Sequence, residues 1–226
     1  MESGNYNLFQ RNKNYMVVGP SMSGKNVWLY KYLDEMDRLL GEENKFDKIL
    51  ICYSVYQEVY DRMLLRHGQD NIFFHNGIPP EATLMQFVRM SSHPLIVFDD
   101  LMYSIAGSKL VQALFTRITH HEGCSTMCLL QTLFLPKCEY LRVLMQNAHY
   151  TIIMKSARMY NQLRLLASQL GEKELITAIY KYICSQGSYQ YLVLDYASNT
   201  PDELRFKNHI FSAELPVRCY IDANNV

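Results

Sequence analysis

The segment GPSMSGK, residues 19–25, has the residue types and spacing of a phosphate-binding loop. Glycines allow a tight turn, and the backbone N–H groups of such a turn, aided by the dipole of a following helix, point at phosphate oxygens. Lys25 would reach the β- and γ-phosphates as a compact charge. The alternative is a Gly-Pro-Ser turn that happens to precede a helix, but the strand, the glycine spacing and the lysine together favour a nucleotide site. The predicted nucleotide-binding residues are Gly19, Pro20, Ser21, Met22, Ser23, Gly24, Lys25, Asn26 and Val27.

Asn26 occupies the position where a serine or threonine hydroxyl usually holds magnesium. Its side-chain oxygen is a hard, neutral ligand of the kind that oxygen-seeking cations accept. The pattern therefore predicts Asn26 as a Mg²⁺ ligand. The alternative is that Asn26 faces solvent and the metal is held through water and an acidic site alone.

An acidic pair, Asp99 and Asp100, directly follows the apolar run LIVF at residues 95–98. This pattern predicts a buried parallel strand, and ligands of open α/β sheets bind where such strands end. Asp99 is the predicted partner of magnesium, directly or through water, and Asp100 is placed to orient and deprotonate an attacking water. An apolar run that ends in two aspartates is common by itself, so its weight comes from the phosphate loop that accompanies it.

Gln131 ends the next apolar run, STMCLL at residues 125–130. If that strand lies between the phosphate-loop strand and the acidic strand, the Gln131 amide would point at the γ-phosphate and position water. The alternative is an ordinary polar residue at a strand end.

Short apolar runs alternate with amphipathic stretches, which predicts an α/β protein with a mainly parallel sheet. No linker interrupts the pattern, so one domain is expected over residues 1–226. Strands are predicted at 14–20, 47–54, the first part of 71–80 (a short strand that runs into a Pro-Pro turn), 93–102, 124–134, the second half of 141–156, 188–198 and 203–214, the last two as a hairpin. Helices are predicted at 25–41, 55–68, 81–92, 108–123, the first half of 141–156, 157–171 and 172–184.

The composition excludes several classes of protein. The chain has 226 residues, of which 49% are hydrophobic and 19% charged, and its 22 basic and 22 acidic residues give a pI near 7.0. A globally basic DNA-binding protein is therefore not indicated, and any contact with nucleic acid would come from a local patch or a ring of such patches. The six cysteines show no paired zinc-ligand spacing, which favours reduced thiols in an intracellular protein. No apolar run is long enough to span a bilayer, and no signal peptide is evident.

Four segments in this order and spacing resemble the genome-packaging ATPases of the FtsK/HerA superfamily, in the form found in double-stranded DNA viruses and in virus-like Polinton and adintovirus elements. They are GPSMSGKN, LIVFDDLM, LFTRITHHEGCSTMCLLQTLF and YLVLDY…TPDELRFKNHIF. The resemblance covers most of the chain, from about Tyr15 to Phe211. The loop pattern is specific only to nucleoside-triphosphate enzymes as a whole, whereas the series DDLM…HH…LLQ is more specific to this branch.

The resemblance implies a RecA-like P-loop fold of the additional-strand type, with ATP and Mg²⁺ as cofactors. It also implies a homo-oligomeric ring, a pentamer or a hexamer, that uses ATP hydrolysis to move double-stranded DNA into a capsid. The implied partners are DNA and a capsid or portal-vertex protein. The implied location is a nuclear or cytoplasmic assembly site in a host cell, with the virion as a further location.

Residue by residue, the resemblance makes Lys25 and Asn26 the phosphate and metal positions, Asp99 and Asp100 the acidic pair, and Gln131 the sensor. Two positions depart from the family pattern. Asn26 replaces serine or threonine, and Asp100 stands where many relatives have glutamate. Because aspartate is one methylene shorter, the geometry of the attacking water must differ.

Two further residues are predicted from the needs of a ring. Arg117 lies off the apolar stripe of the helix at 108–123 and could enter a neighbour's site as an arginine finger, with Arg142 and Arg158 as rivals. Lys109, in the predicted turn YSIAGSK at 103–109, is the candidate for contact with DNA phosphates. It could equally be a solvated residue at a helix start, in which case the turn at His120 and His121 is the next candidate.

Two other functions stay open. A nucleoside or nucleotide kinase would use an arginine-rich lid, which Arg158 and Arg164 could supply, although Gln131 has no obvious role in such an enzyme. A P-loop protein could also bind nucleotide only in order to assemble. DNA-stimulated ATP hydrolysis separates the packaging motor from both.

Overall fold

One sheet runs through the centre of the protein in a computed structural model, which describes residues 7–135 and 138–221. Residues 1–6, 136–137 and 222–226 of the predicted domain lie outside the described residues. The strands are β1 (Asn14–Val18), β2 (Lys48–Tyr53), β3 (Ile72–Asn76), β4 (Pro94–Asp99), β5 (Ser125–Leu130), β6 (Tyr150–Met154), β7 (Tyr191–Asp195), β8 (Phe206–Asn208) and β9 (Arg218–Tyr220).

Helices cover both faces of this sheet. They are α1 (Lys25–Asp34), α2 (Met36–Leu40), α3 (Glu58–His67), α4 (Glu81–Arg89), α5 (Met102–Ile105), α6 (Lys109–Ala113), α7 (Thr119–His121), α8 (Glu139–Gln146), α9 (Tyr160–Gln169) and α10 (Lys173–Ser185). A π-helical turn, Leu114–Ile118, joins α6 to α7. No helix of the described ranges is long and apolar enough to cross a membrane.

The sheet order is β3-β2-β4-β5-β1-β6-β7-β8-β9. The strands from β3 to β6 in this order pair in parallel, and β7, β8 and β9 are antiparallel. Strand β5 lies between the phosphate-loop strand β1 and the acidic strand β4. The predicted α/β class is therefore confirmed, with one additional strand inserted between the two strands that carry the chemistry. Their carboxyl ends meet at one edge of the sheet.

The central strands are buried on both faces, so their alternate side chains enter two separate cores. On β1, Tyr15 and Val17 pack against residues of α1, α2 and α3. Met16 and Val18 pack on the opposite face, where α4, α5, α6, α8, α9 and α10 lie. As a result, α1 and α3 lie side by side on one face, next to the edge where β1 and β4 end.

The predicted helix at 25–41 is two helices, so its prediction as one element was wrong. Glu35 leaves the helical conformation, with φ −108° and ψ 16°. Its carboxylate accepts hydrogen bonds from the backbone N–H of Ser212 at 2.8 Å and from the Ser212 hydroxyl at 2.8 Å. The residue at the break thus contacts a residue 177 positions away, and no local pattern encodes this contact.

The closing hairpin is confirmed as β7 and β8, but the predicted strand at 203–214 is much too long. Only Phe206–Asn208 is strand, and Ser212–Glu214 forms a 3₁₀ turn held by a hydrogen bond from Tyr191 Oη to Glu214 at 2.5 Å. A fully buried ion pair, Lys207 Nζ to Asp195 Oδ2 at 2.6 Å, joins the two hairpin strands. Strand β9 was not predicted.

Two predictions between β4 and β5 also need correction. The segment at 103–109 is not all turn, because Tyr103 to Ile105 belong to α5. The helix at 108–123 exists but contains the π-helical turn, which places the neighbouring residues Leu114 and Phe115 both inside the core. The apolar stripe predicted for this helix is buried as expected.

Candidate functional site

The phosphate loop has the backbone geometry that its glycines predict. Gly24 has φ +96°, in the region that favours glycine, and the loop leads directly into α1. At Gly19 an added Cβ would lie 2.5 Å from Ser23 Oγ and 2.6 Å from Met154 Cβ, so no larger residue fits there. The first N–H groups of α1 have no intrahelical partners and face the opening of the loop.

Lys25 lies inside the loop that it follows. Its Nζ atom donates hydrogen bonds to the carbonyl oxygens of Gly19 at 2.7 Å and Pro20 at 3.1 Å. Burial lowers the pKa of Lys25, while the nearby carboxylates of Asp99 and Asp100 oppose that shift. The ammonium group is thus held at the centre of the site, between the loop and the two carboxylates.

Asp99 ends β4 and is only 1% exposed. Its Oδ2 accepts a hydrogen bond from Tyr60 Oη at 2.5 Å. Burial raises the pKa of the Asp99 carboxyl, whereas the Tyr60 hydroxyl, the Lys25 charge and the Asn26 side chain favour its ionised form. Asp99 thus places a carboxylate, hydrogen-bonded to Tyr60, at the end of β4.

Asn26 lies on the first turn of α1 beside Asp99. Its Nδ2 donates a hydrogen bond to Gln57 Oε1 at 2.5 Å, and Gln57 immediately precedes α3. The side chain is half-buried and lines the same cavity as Asp99. Asn26 therefore lies at the wall of the cavity, beside the acidic end of β4.

Asp100 and Gln131 are joined directly. Gln131 Nε2 donates to Asp100 Oδ1 at 2.7 Å, and both side chains are exposed toward the cavity. Asp100 has φ +55°, an unusual conformation for a residue with a side chain, which turns its carboxylate away from the course of β4. Because β5 lies beside β4, the strand order brings these two residues together.

A cavity of about 670 Å³ contains these groups, and this volume is within the range of small-molecule sites. Beyond the predicted residues it is lined by side chains from distant segments that sequence reasoning missed. Those added residues are Trp28, Lys31, Gln57, Met154, Tyr189, Tyr191, Phe211 and Glu214. Several are aromatic or apolar, which suits the base of a nucleotide, but their sequence positions share no spacing with the loop.

The donors at the site fit a magnesium ion. One buried carboxylate, Asp99, stands beside the amide of Asn26, and Asp100 adds a second carboxylate nearby. Hard oxygen ligands in small number, with room for water, are what Mg²⁺ requires. Asp99 and Asn26 would hold the ion.

The remaining predicted residues lie outside the cavity. Lys109 is exposed at the start of α6. Arg117 is exposed near the opposite edge of the sheet. Its near neighbour in sequence, Phe115, accepts a hydrogen bond at 2.7 Å through its carbonyl oxygen from Nδ2 of Asn14, the residue at the start of β1. Arg158 is exposed just after β6, near the edge that carries the loop. Arg117 therefore cannot serve its own subunit's site.

Comparison with known proteins supports the fold assignment. No protein-family model matches the chain, and no curated protein matches it. Among solved structures, the chain is similar to the genome-packaging NTPase B204 of Sulfolobus turreted icosahedral virus 2, determined in complex with ATPγS. The TM-score is 0.55 and the identity 11%, over 92% of this chain and 96% of that chain. The resemblance to viral genome-packaging NTPases predicted from the sequence is thus confirmed at the level of the fold, which the two chains share over nearly their whole lengths.

Proposed function

We propose that this protein is an ATPase that moves double-stranded DNA into a viral or virus-like capsid. The observation that carries the proposal is the convergence of Lys25, Asp99, Asp100 and Gln131 on one cavity at one edge of the sheet. The similar fold of B204, a genome-packaging NTPase that binds ATPγS, supports the same conclusion. The working form would be a pentameric or hexameric ring that docks on a capsid or portal-vertex protein at an assembly site in the host cell.

Each residue has a role that follows from its place. Lys25 and the α1 amides would bind the phosphates, and Asp99 and Asn26 would hold Mg²⁺, which would supply positive charge beside the phosphates. Asp100 orients the attacking water and accepts its proton. Gln131, hydrogen-bonded to Asp100 at 2.7 Å, fixes that carboxylate and positions the same water.

A nucleoside or nucleotide kinase is the second candidate, and the cavity argues against it. No arginine of the described ranges lines the cavity, and Arg158 and Arg164 are both exposed outside it. A kinase also needs to exclude water, whereas the exposed pair Asp100 and Gln131 suits the activation of water. A protein that binds nucleotide only for assembly would need the loop and the metal site but not this pair.

The test is ATP hydrolysis with and without linear double-stranded DNA. We expect phosphate release in Mg²⁺ and a clear rise in its rate when DNA is added, because translocation couples the two. Phosphorylation of an added nucleoside would instead establish the kinase. Tight binding of ATP with no phosphate release under either condition would favour the assembly role.

Lys109→Glu is expected to weaken DNA binding. If Lys109 contacts one phosphate, its loss reduces the slope of log affinity against log salt concentration by about 1. The measurement is DNA binding across a salt series, with Arg89→Glu as a control that makes the same charge change at the end of α4. Equal slopes for Lys109→Glu and the wild type would shift the search to His120 and His121.

Arg117→Ala is expected to abolish ATP hydrolysis while preserving ATP binding, because the arginine would act in a neighbour's site. Loss of such a finger lowers the rate by about 10³-fold or more. A mixture with Lys25→Ala should recover part of the activity, since the intact arginine of one variant completes the intact loop of the other. Arg142→Ala and Arg158→Ala are parallel variants. Full activity of Arg117→Ala alone would exclude this residue, and recovery seen only with Arg158→Ala would identify the rival.

A further inference from the structure

Helix α3 begins against the metal site. Tyr60, on its first turn, donates a 2.5 Å hydrogen bond from Oη to the buried Oδ2 of Asp99. Its ring packs at 5.3 Å from the ring of Tyr56, 5.5 Å from that of Phe74 and 5.6 Å from that of Tyr53. This packing holds the ring on all sides, so the hydroxyl has one defined direction and fixes the orientation of the carboxylate.

Gln57 lies three residues before Tyr60, and residues at this spacing share one face of a helical turn. Its Oε1 accepts the 2.5 Å hydrogen bond from Asn26 Nδ2. The second acceptor near this amide is the carboxylate of Asp99. Because an ionised carboxylate only accepts hydrogen bonds, the NH₂ end of Asn26 faces both groups, and its oxygen is turned away from them.

An asparagine that binds a cation at this position needs a defined side-chain orientation, whereas a serine does not. A hydroxyl can offer a lone pair to a cation in many rotations, but a side-chain amide must present oxygen and not nitrogen. A hydrogen-bond acceptor that bonds the amide nitrogen disfavours the orientation in which nitrogen faces the cation. Partners of this kind, which bond a metal ligand from behind, typically contribute 10- to 100-fold to metal affinity.

We propose that Gln57 and Tyr60 are positioning residues that orient the two metal ligands, Asn26 and Asp99, and that Gln57 is what allows asparagine to replace serine or threonine in this loop. The inference rests on the proposed function only in taking Mg²⁺–nucleotide as the ligand. It assigns a role in orienting the metal ligands to the start of α3.

The test measures binding of ATPγS to the full chain, in Mg²⁺ and in EDTA. We expect Gln57→Met, which keeps the length of the side chain but lacks the acceptor, to reduce the gain in affinity due to Mg²⁺ about tenfold. The loss should be larger in Mg²⁺ than in EDTA, because Gln57 lines the cavity but bonds the Asn26 amide and not the loop amides. A general defect of the fold would instead lower the affinity for ATPγS equally in Mg²⁺ and in EDTA.

A double variant separates orientation of Asn26 from any other effect. In an Asn26→Ser background, Gln57→Met should have no effect on the Mg²⁺-dependent gain, because a hydroxyl needs no partner to orient it. Tyr60→Phe should also reduce the gain in the wild-type background. Tyr53→Phe is its matched control, because it removes a hydroxyl from the same aromatic cluster but not one that bonds Asp99.

Three outcomes would overturn the inference. They are a wild-type Mg²⁺-dependent gain in Gln57→Met, an equal loss from Gln57→Met in the Asn26→Ser background, and equal affinity of the wild type with and without Mg²⁺. All three outcomes concern the effect of Mg²⁺, so none of them contradicts the binding of nucleotide at this site. Failure of the wild type to bind ATPγS under either condition would instead overturn the proposed function.

Discussion

Replacement of Lys25 by alanine is expected to lower ATP hydrolysis by on the order of 10²–10³-fold, the usual effect of removing one donor from a developing negative charge. Within the described part of the chain, Lys25 donates only to the carbonyl oxygens of Gly19 and Pro20, in its own loop. Its ammonium group is therefore available to phosphate and is not a support of the core. Nucleotide affinity should fall as well, because the lysine is the only cation held inside the loop among the described residues.

The measurement for Lys25→Ala is steady-state phosphate release together with a thermal unfolding curve. The unfolding midpoint should stay close to that of the wild type, since no core residue is changed. Lys181→Ala, on the exposed surface of α10, is the matched control and should retain full activity. Normal turnover by a folded Lys25→Ala protein would show that the loop is not the hydrolytic site.

The two adjacent aspartates are expected to fail in different ways. Asp99→Asn should lose Mg²⁺-dependent hydrolysis yet keep nucleotide affinity in EDTA, because the amide loses the charge that holds the ion. Asp100→Asn should keep both metal and nucleotide and lose about 10²–10⁴-fold in the chemical step, the usual contribution of a general base. Asparagine suits both tests, since it can accept the hydrogen bond from Tyr60 and it tolerates the φ of +55° at position 100.

Binding and turnover separate these roles. Titration of each variant with Mg²⁺ at saturating ATPγS reports the metal site, and single-turnover hydrolysis reports the chemical step. We expect the metal titration to change in Asp99→Asn alone. If both variants show the same metal affinity and the same rate, the assignment of metal ligand to one aspartate and base to the other is wrong.

The chemistry-bearing residues could be predicted because their signals are local. Lys25 follows its glycines within one loop, and Asp99 and Asp100 end an unbroken apolar strand. The carboxyl ends of parallel strands meet at one edge, so their convergence followed from the alternation of strands and helices. For Gln131, the prediction depended on the strand order, and the observed position of β5 between β4 and β1 satisfies that condition.

The parts that failed depend on contacts between distant residues. Glu35, which follows the end of α1, accepts a hydrogen bond from Ser212, and Glu214, in the turn after β8, accepts one from Tyr191. The pattern of apolar residues over the 17 positions of the predicted helix contains no information about a contact with Ser212, which lies 177 positions after Glu35. The periodicity identified the elements, but long-range hydrogen bonds set where they end.

The sequence by itself determined a tight glycine-containing loop before a helix, an acidic strand end and a mainly parallel sheet, because each is encoded by residues within one turn or one strand. Only the tertiary structure decided what surrounds them. It placed Gln57 against Asn26 and Tyr60 against Asp99, although helix α3 carries no motif, and it placed Arg117 at the edge opposite the loop. The physical reason is that these positions depend on which faces of the elements are buried together. The packing of α1 against α3 and the path of the chain from β4 to β5 both follow from this burial, which is a property of the whole fold.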